Sequence, residues 1–363
     1  MPQISRRKLL KQGTTAIVSL SSISLLNLIA NSQSAAETIT GNLETQIPKL
    51  MQNSGIPGIS LAIIRDGELF WNKSFGVKNK YTKTSVNNET IFAAASLTKP
   101  LFAYAVLKMA ERGEIDLDAP LTKYTNKPLI SDSRINKVTA RRVLSHTTGF
   151  PNWSGSKPVW FNNNPGTFGY SGEGFLYLQS VVEKITEQPL EAYLQQQILK
   201  PWGMSSSSLI WQPEYANIAS YGHDRQGKPK PMSQPKAAVS AGSLRTTAAE
   251  YAQFPIAMMK PGTIDSSNLT EASLQQMLKG QIKLSDSLDW GLGWGLEKTN
   301  LGNFFWHWGD LVAFKSFIVA NKDSKTGIVI LTNSQNGLKI CENIVERAIA
   351  GKHPAFKYWM IDY

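Results

Sequence analysis

The strongest constraint on this fold is an apolar segment that precedes the middle of the chain. Residues 101–107 read Leu-Phe-Ala-Tyr-Ala-Val-Leu and have no polar face. Pro100 fits only the first turn of a helix, and Gly113 lies where a C-cap glycine is expected. A helix that is apolar on every side must be surrounded by other elements. The sequence therefore predicts a central buried helix that begins near Ser96.

Two β-hairpins are predicted, one towards each end of the chain. The apolar residues 58–64 and 69–71 flank an Asp-Gly pair, and the apolar residues 313–320 and 327–332 flank a polar turn. Helices are predicted between them, at 138–145 and 175–199, and again at 338–350. Strands at both ends with helices between them indicate an α+β fold, whose antiparallel sheet is built from both chain ends.

The pattern Ser-x-x-Lys occurs four times, and its context distinguishes one copy. The four copies begin at Ser5, Ser96, Ser154 and Ser233. Only Ser96 opens the buried helix, because Ser5 lies in the N-terminal segment and the other two lie in loops rich in Gly and Pro. Residues i and i+3 share a helix face, so the Ser96 hydroxyl and the Lys99 amine can meet. Free N–H groups at a helix start favour an anion there, which makes Ser96 the candidate nucleophile.

Lys99 is the candidate proton acceptor for Ser96. It lies between apolar residues, and burial favours the neutral amine and lowers its pKa. The alternative is purely structural, with Ser96 capping the helix and Lys99 reaching solvent.

The composition argues against a metal site, and no organic cofactor is implied. Cys341 is the only cysteine, which excludes a disulfide framework and a thiolate zinc cluster. The four histidines are widely spaced and form no HxxxH or HExxH pattern. The net charge is +11, but the basic residues are dispersed, so no nucleic-acid partner is predicted. A soluble basic surface is the first interpretation, and affinity for an anionic cell wall or membrane is the second.

Residues 1–36 are predicted to be a signal peptide of the twin-arginine type. Arg6 and Arg7 precede a serine-diluted apolar stretch, and Ser34-Ala35-Ala36 suits a cleavage site. An uncleaved membrane anchor is the alternative. The prediction implies a bacterial protein that is periplasmic or secreted, with residues 37–363 forming the folded part and no stable membrane anchor after cleavage.

Beyond the nucleophile, a series of short motifs occurs along the chain. They are Gly-Ile-Pro-Gly at 55–58, Ser-Leu-Thr-Lys-Pro at 96–100, Gly-Glu-Ile-Asp-Leu-Asp-Ala-Pro at 113–120, Leu-Ser-His-Thr-Thr-Gly-Phe-Pro at 144–151, Tyr-Ser-Gly at 170–172, Pro-Trp-Gly-Met at 201–204, Gly-Leu-Gly-Trp-Gly at 291–295 and His-Trp-Gly at 307–309. In this order they resemble the β-lactamase-related serine hydrolases, which include class C β-lactamases, D-alanyl-D-alanine carboxypeptidases and related esterases. The resemblance covers about residues 45–345.

This resemblance implies a flanked antiparallel sheet with an inserted, mostly helical domain. The sheet part would comprise about residues 45–90 and 235–350, and the helical part about residues 91–234. The active site would lie between the two parts, with Ser96 at the helix start.

The family's second motif, Tyr-x-Asn, implies a tyrosine that takes or relays the serine proton. Literal matches at Tyr124 and Tyr215 lie outside the expected context. Tyr170 lies in that context, with an ordinary loop tyrosine as the alternative reading. Gly172 replaces the family's asparagine, and this removes an amide that would hold a substrate's acylamino group.

The third motif is assigned to His307 and the two residues after it. Gly309 would let the substrate backbone approach closely, and the N–H of Asp310 would join that of Ser96 in an oxyanion hole. The Asp310 carboxylate must then point away. The literal Lys-Thr-Gly at 325–327 falls in a predicted turn and is interpreted as a decoy.

Two further features lie near these motifs. His146 belongs to a family motif that mostly positions the loop under the site. Four aromatic side chains precede Tyr170, and either an apolar acyl pocket or core packing explains them. They are Trp153, Trp160, Phe161 and Phe168.

The leading hypothesis is a serine hydrolase that forms a covalent acyl-enzyme on small esters or peptidic amides. The alternative within enzymes is a class C β-lactamase or a D-alanyl-D-alanine carboxypeptidase acting on β-lactams or peptides. A non-catalytic penicillin-binding or scaffold protein is the alternative of another class. The oligomeric state is left open.

Overall fold

The computed structural model describes residues 40–263, 266–358 and 361. The chain divides after Ile47 into two units, and the described part of the first unit, residues 40–47, is helical. The predicted signal peptide lies outside the described residues. In the part of the chain that is described, no helix has the length and apolar character needed to cross a bilayer.

The second unit contains a nine-stranded antiparallel sheet. Its strands are β1 (Gly58–Arg65), β2 (Glu68–Asn79), β3 (Thr84–Ser85), β6 (Ile282–Lys283), β7 (Leu288–Trp290), β8 (Gly295–Thr299), β9 (Gly302–Leu311), β10 (Phe314–Asn321) and β11 (Thr326–Thr332), while β4 (Phe92–Ala93) and β5 (Arg245–Thr246) form a separate short pair. The order across the sheet is β3-β2-β1-β11-β10-β9-β8-β7-β6. Because β1 pairs with β11, early and late strands are joined in one sheet. The predicted α+β fold is confirmed.

The second unit also contains helices. They are α1 (residues 48–54), α2 (Thr98–Glu111), α3 (Ala140–Leu144), α4 (Gly172–Thr186), α5 (Leu190–Leu194), α6 (Tyr215–Ile218), α7 (Ala248–Met258), α8 (Glu271–Met277) and α9 (Cys341–Ile349). Helix α2 is the predicted central helix, since residues 98–109 are all buried. Helix α7 contacts β1, β2 and β11.

The helix predicted over 175–199 is wrong in its extent. Helix α4 begins three residues earlier, at Gly172, where the Ser171 hydroxyl accepts a hydrogen bond from the Gly174 N–H. It ends before Glu187, which has a left-handed φ of 53°. Pro189 follows and cannot continue a helix, so the chain restarts as α5.

Part of β9 has a free edge inside the sheet, and this edge lies next to the candidate site. Strand β9 pairs with β8 only as far as Trp306, whereas its pairing with β10 continues to Leu311. The unpaired edge meets the 3-10 turn Ala95–Leu97 that precedes α2. The Ser316 hydroxyl of β10 donates a hydrogen bond of 2.8 Å to the Ala94 carbonyl, which fastens the turn to the sheet.

Candidate active site

Ser96 lies in a strained and tightly held turn. Ala95, directly before it, has a φ of 52°, which is unusual for a residue with a Cβ. The Thr98 hydroxyl donates to the Ala95 carbonyl at 2.7 Å and accepts from the Leu244 N–H at 3.0 Å. Ser96 is therefore in a 3-10 turn immediately before α2, and backbone strain of this kind is common where a nucleophile is presented.

Lys99 is buried and directed at Ser96. Its Nζ donates to the Ser96 Oγ at 3.1 Å and to the Ala241 carbonyl at 2.7 Å. Burial lowers the pKa of Lys99 to about 7. The structural alternative, in which this amine reaches solvent, does not occur, and a neutral amine is available near pH 7.

Tyr170 lies beside this amine. The Lys99 Nζ is 4.7 Å from the centroid of the Tyr170 ring. The phenol oxygen is buried and has no hydrogen-bond partner among the described residues. Burial raises the pKa of Tyr170, and the nearby Ser96 hydroxyl opposes this shift without cancelling it. Tyr170 is therefore a neutral phenol at pH 7, which suits a proton relay, whereas Lys99 suits the proton acceptor.

Two buried histidines accompany Tyr170. Ring centroids lie 4.2 Å from Tyr170 for His146 and 6.2 Å for His307. Burial, together with the charge of Lys99, lowers the pKa of His307 to about 3 and that of His146 well below its usual value, so both rings are neutral. The motif that contains His146 is expected to position the loop under the site, and in the structure the His146 ring contacts Tyr170.

Hydrogen bonds assign the tautomer of each ring. The Nδ1–H of His307 donates to the Trp308 carbonyl at 2.7 Å, which leaves its Nε2 as an acceptor. His146 Nδ1 instead accepts from the Ser171 N–H at 3.1 Å, so its Nε2 carries the proton. Each Nε2 is buried and has no hydrogen-bond partner among the described residues.

The free edge of β9 presents the backbone N–H of Asp310. Leu311 and Phe314 close a two-residue turn, where the closing pair is hydrogen-bonded. Because neighbouring residues of a strand direct their N–H groups to opposite sides, the N–H of Asp310 faces the free edge. The Asp310 carboxylate forms an ion pair with Lys315 and accepts from the Val312 N–H at 3.0 Å, so it is engaged at the hairpin turn.

Gly309 has a structural role in addition to the expected one. A Cβ at this position would lie 2.5 Å from the Ala94 carbonyl oxygen and 3.0 Å from the Ala95 Cβ. The glycine is thus required by the turn that presents Ser96, and not only by an approaching substrate. It lets β9 and the turn that carries Ser96 pack closely.

The other motif matches bond to residues outside this cluster. Lys325 lies in the β10–β11 turn, where its carbonyl accepts from the Gly67 N–H at 3.0 Å, at the end of the strands opposite to Ser316. Tyr124 accepts from the Asp116 N–H, and Tyr215 donates to the Ser206 carbonyl. The Ser154 hydroxyl donates to Glu173.

The four aromatic side chains before Tyr170 have different surroundings. The Trp153 ring centroid is 6.0 Å from the Lys99 Nζ, and this residue is 52% exposed. Phe161 packs on Phe150, and Phe168 packs on Trp290. Trp153 is therefore placed beside the candidate catalytic amine, whereas the two phenylalanines pack in aromatic clusters.

Sequence patterns gave no indication of two contributors to this site. The Ala241 carbonyl fixes Lys99, but a main-chain acceptor has no signature in residue type. Trp290 contacts both His146 and Tyr170 from β7, more than 100 positions away in sequence. As for metals, the described ranges contain no group of three or more His, Cys, Asp or Glu side chains that could hold an ion.

Comparison with known proteins places this geometry in a family. The family model described as Beta-lactamase matches residues 43–349, most of the chain. The chain belongs to the beta-lactamase family. Relatives of this beta-lactamase family member are serine hydrolases. The chain is 25% identical over 321 residues to Protein flp of Staphylococcus aureus, and the alignment covers 81% of this chain and 64% of that protein. It is also 27% identical over 229 residues to Esterase EstB of Burkholderia gladioli, which covers 54% of the chain and 57% of that protein. The chain therefore spans less than two thirds of either relative.

Solved structures share the fold of this beta-lactamase family member. A class C beta-lactamase superposes with a TM-score of 0.76 at 20% identity, covering 87% of this chain and 97% of that one. The octameric penicillin-binding protein homologue of Pyrococcus abyssi superposes with a TM-score of 0.70 at 25% identity, covering 82% and 74%.

Proposed function

We propose that this protein hydrolyses small esters or peptidic amides through a covalent acyl-enzyme on Ser96. The Ser96 proton moves to the Lys99 amine as the hydroxyl oxygen attacks the substrate carbonyl. The N–H groups of Ser96 and Asp310 hold the resulting oxyanion. When the intermediate collapses, the leaving group takes the proton through Tyr170. Water then attacks the acyl-enzyme by the reverse proton path and releases the carboxylic acid.

The strongest support for this proposal is the environment of the Lys99 amine. The amine of Lys99 is buried, contacts the Ser96 hydroxyl and has a pKa lowered to about 7. Serine is a weak nucleophile unless an adjacent base removes its proton, and a base is most effective when its pKa lies near the working pH. A protein that only binds or scaffolds has no need of this costly arrangement.

Esters rank above β-lactams as the proposed substrates. Gly172 provides no side-chain amide beside Tyr170, so an acylamino group would find no partner from this position. The similarity to Esterase EstB supports the same choice. The class C β-lactamase and carboxypeptidase activities are the alternatives, and the proposed location remains the periplasm or the cell exterior.

Ester hydrolysis is expected to rise with pH and to level off above about pH 7. The physical reason is the pKa of Lys99, because only the neutral amine accepts the serine proton, and lowering the pH below about 7 protonates it. The measurement is kcat/KM for a p-nitrophenyl ester between pH 5 and 9 at constant ionic strength. A flat profile, or one that falls with rising pH, would show that Lys99 is not the base.

His307→Ala is expected to lower kcat/KM by about 10- to 1,000-fold, whereas Lys325→Ala leaves it unchanged. His307 holds the Trp308 carbonyl two residues before the proposed hole donor Asp310, and Lys325 lies at the opposite end of the strands. Both variants are assayed on the same ester, and circular dichroism checks that each is folded. If Lys325→Ala were the more damaging change, the assignment of β9 to the site would be wrong.

A further inference from the structure

The space beside the first residue of α4 is filled by an indole ring. A Cβ built at Gly172 would lie 2.7–2.8 Å from three atoms of Trp153, Cη2, Cζ2 and Cζ3. Real Cβ atoms do not approach a ring this closely, and all three nearest atoms belong to Trp153. Gly172 and Trp153 are therefore a packed pair, in which the absence of one side chain makes room for the other.

The loop that carries Trp153 is docked on both sides of it. The Asn152 carbonyl accepts from the N–H groups of Gly172 and Glu173 at 3.0 and 3.1 Å, and the Asn152 Oδ1 accepts from Gly172 as well. On the other side, the N–H and hydroxyl of Ser154 donate to Glu173 Oε1 at 2.6 and 2.7 Å. Both flanking residues are thus bound to the first turn of α4, which holds the indole in place.

This ring is both exposed and close to the reacting groups. Trp153 is 52% exposed, and its ring centroid is 6.0 Å from the Lys99 Nζ. A rigid, exposed aromatic surface beside a polar centre favours apolar partners, because binding removes apolar area from water. It has no acceptor for the N–H of an acylamino group, so that N–H loses its hydrogen bond to water without compensation from this ring.

We propose that the Trp153–Gly172 pair determines acyl selectivity, favouring alkyl or aromatic acyl groups over acylamino groups. This inference rests on the proposed function and names the substrate class of the same site. The bound acyl chain lies against the indole, and the hydrolytic steps are those already described. The acyl group contacts the indole of Trp153 in place of the hydrogen bonds that a polar side chain at position 172 would make, and this apolar contact gives the selectivity.

Three esters with one leaving group test the apolar surface. They are the p-nitrophenyl esters of acetate, pentanoate and N-acetylglycine, of which the last two have acyl chains of equal length and differ by an amide. Trp153→Ala should lower the pentanoate-to-acetate ratio of kcat/KM about tenfold, as expected for loss of an apolar contact in a binding pocket. Trp160→Ala, the matched control, removes a 40% exposed tryptophan of the same loop and should leave the ratio unchanged.

The packing of the pair is tested by a double-mutant cycle. Gly172→Asn alone should lower the melting temperature, because its side chain collides with the indole, and adding Trp153→Ala should restore much of it. The double variant should also raise the rate on the N-acetylglycine ester relative to pentanoate. If either Trp153 variant fails to fold, Trp153→Phe provides the same comparison of ester ratios.

The outcomes separate this inference from the proposed function. If the wild type hydrolyses the esters through Ser96 but Trp153→Ala changes the ester ratio no more than Trp160→Ala does, the selectivity role is wrong and the hydrolase proposal stands. If Ser96→Ala retains full activity, or the wild type hydrolyses none of the three esters, the proposed function itself fails. Additive melting temperatures in the cycle would show that residues 153 and 172 are not packed as a pair.

Discussion

Ser96→Ala should abolish ester hydrolysis, with a loss on the order of 10⁴-fold or more, while the protein stays folded. Removing a serine nucleophile costs this much because every later step depends on the covalent intermediate. The change deletes one oxygen from a residue that is only partly buried, so little packing is lost. The measurement is kcat for a p-nitrophenyl ester, together with covalent labelling by a fluorophosphonate and mapping of the labelled peptide.

Another copy of the same sequence pattern provides the control. Ser233→Ala retains the Ser96–Lys99 contact and does not touch the loop of Trp153, so it should keep the label and most of the rate. A label that maps to Ser154 or Ser233, or a Ser96→Ala variant with wild-type turnover, would refute the assignment of the nucleophile.

Lys99→Met should reduce kcat by about 10²- to 10⁴-fold and at the same time stabilise the protein at neutral pH. The loss of rate follows from loss of the base. The gain in stability follows from burial, which lowers the pKa of Lys99 from 10.5 to about 7 in the folded state. At pH 7 the amine is fully protonated in the unfolded chain but only partly in the folded protein, and this difference costs stability that Lys99→Met recovers. The folded state binds fewer protons between these two pH values, so wild-type stability rises from about pH 7 to 10.5. In Lys99→Met this rise should disappear, which melting temperatures across the pH range would reveal.

A second buried lysine in the same helix is the matched control. Lys108 forms an ion pair with Glu111 at 3.2 Å and donates to the Ser266 carbonyl at 2.8 Å. Lys108→Met leaves a buried carboxylate without this partner and should lower the melting temperature with little effect on kcat. If Lys99→Met instead lost stability as Lys108→Met does and kept its activity, Lys99 would be a structural residue.

Several elements could be predicted because their signals lie among neighbouring residues. The Asp66-Gly67 turn between two apolar runs forms the β1–β2 hairpin, and the β10–β11 hairpin forms about its polar turn. The all-apolar segment after Pro100 forms the buried helix α2. The end of α4 could not be predicted in this way, because the apolar periodicity of 175–199 continues across Pro189, whereas the helix does not.

The candidate site was predictable only where its residues are close in sequence. Ser96 and Lys99 are three positions apart at the start of one helix, so their contact follows from helix geometry. The resemblance pointed to Tyr170 and to residues 307–310, but not to the reason for Gly309, which is the close approach of Ala94 from a segment more than 200 positions earlier.

What the sequence determined by itself is therefore local: the hairpin turns, the central apolar helix and the spacing that joins a hydroxyl to an amine. The tertiary structure alone decided which distant segments meet. It placed the free edge of β9 beside the turn that carries Ser96, the Ala241 carbonyl against the Lys99 amine, and the indole of Trp153 against Gly172. The physical reason is that turn and helix preferences act over a few residues, whereas burial, and with it the pKa of Lys99, depends on packing between segments that the sequence keeps far apart.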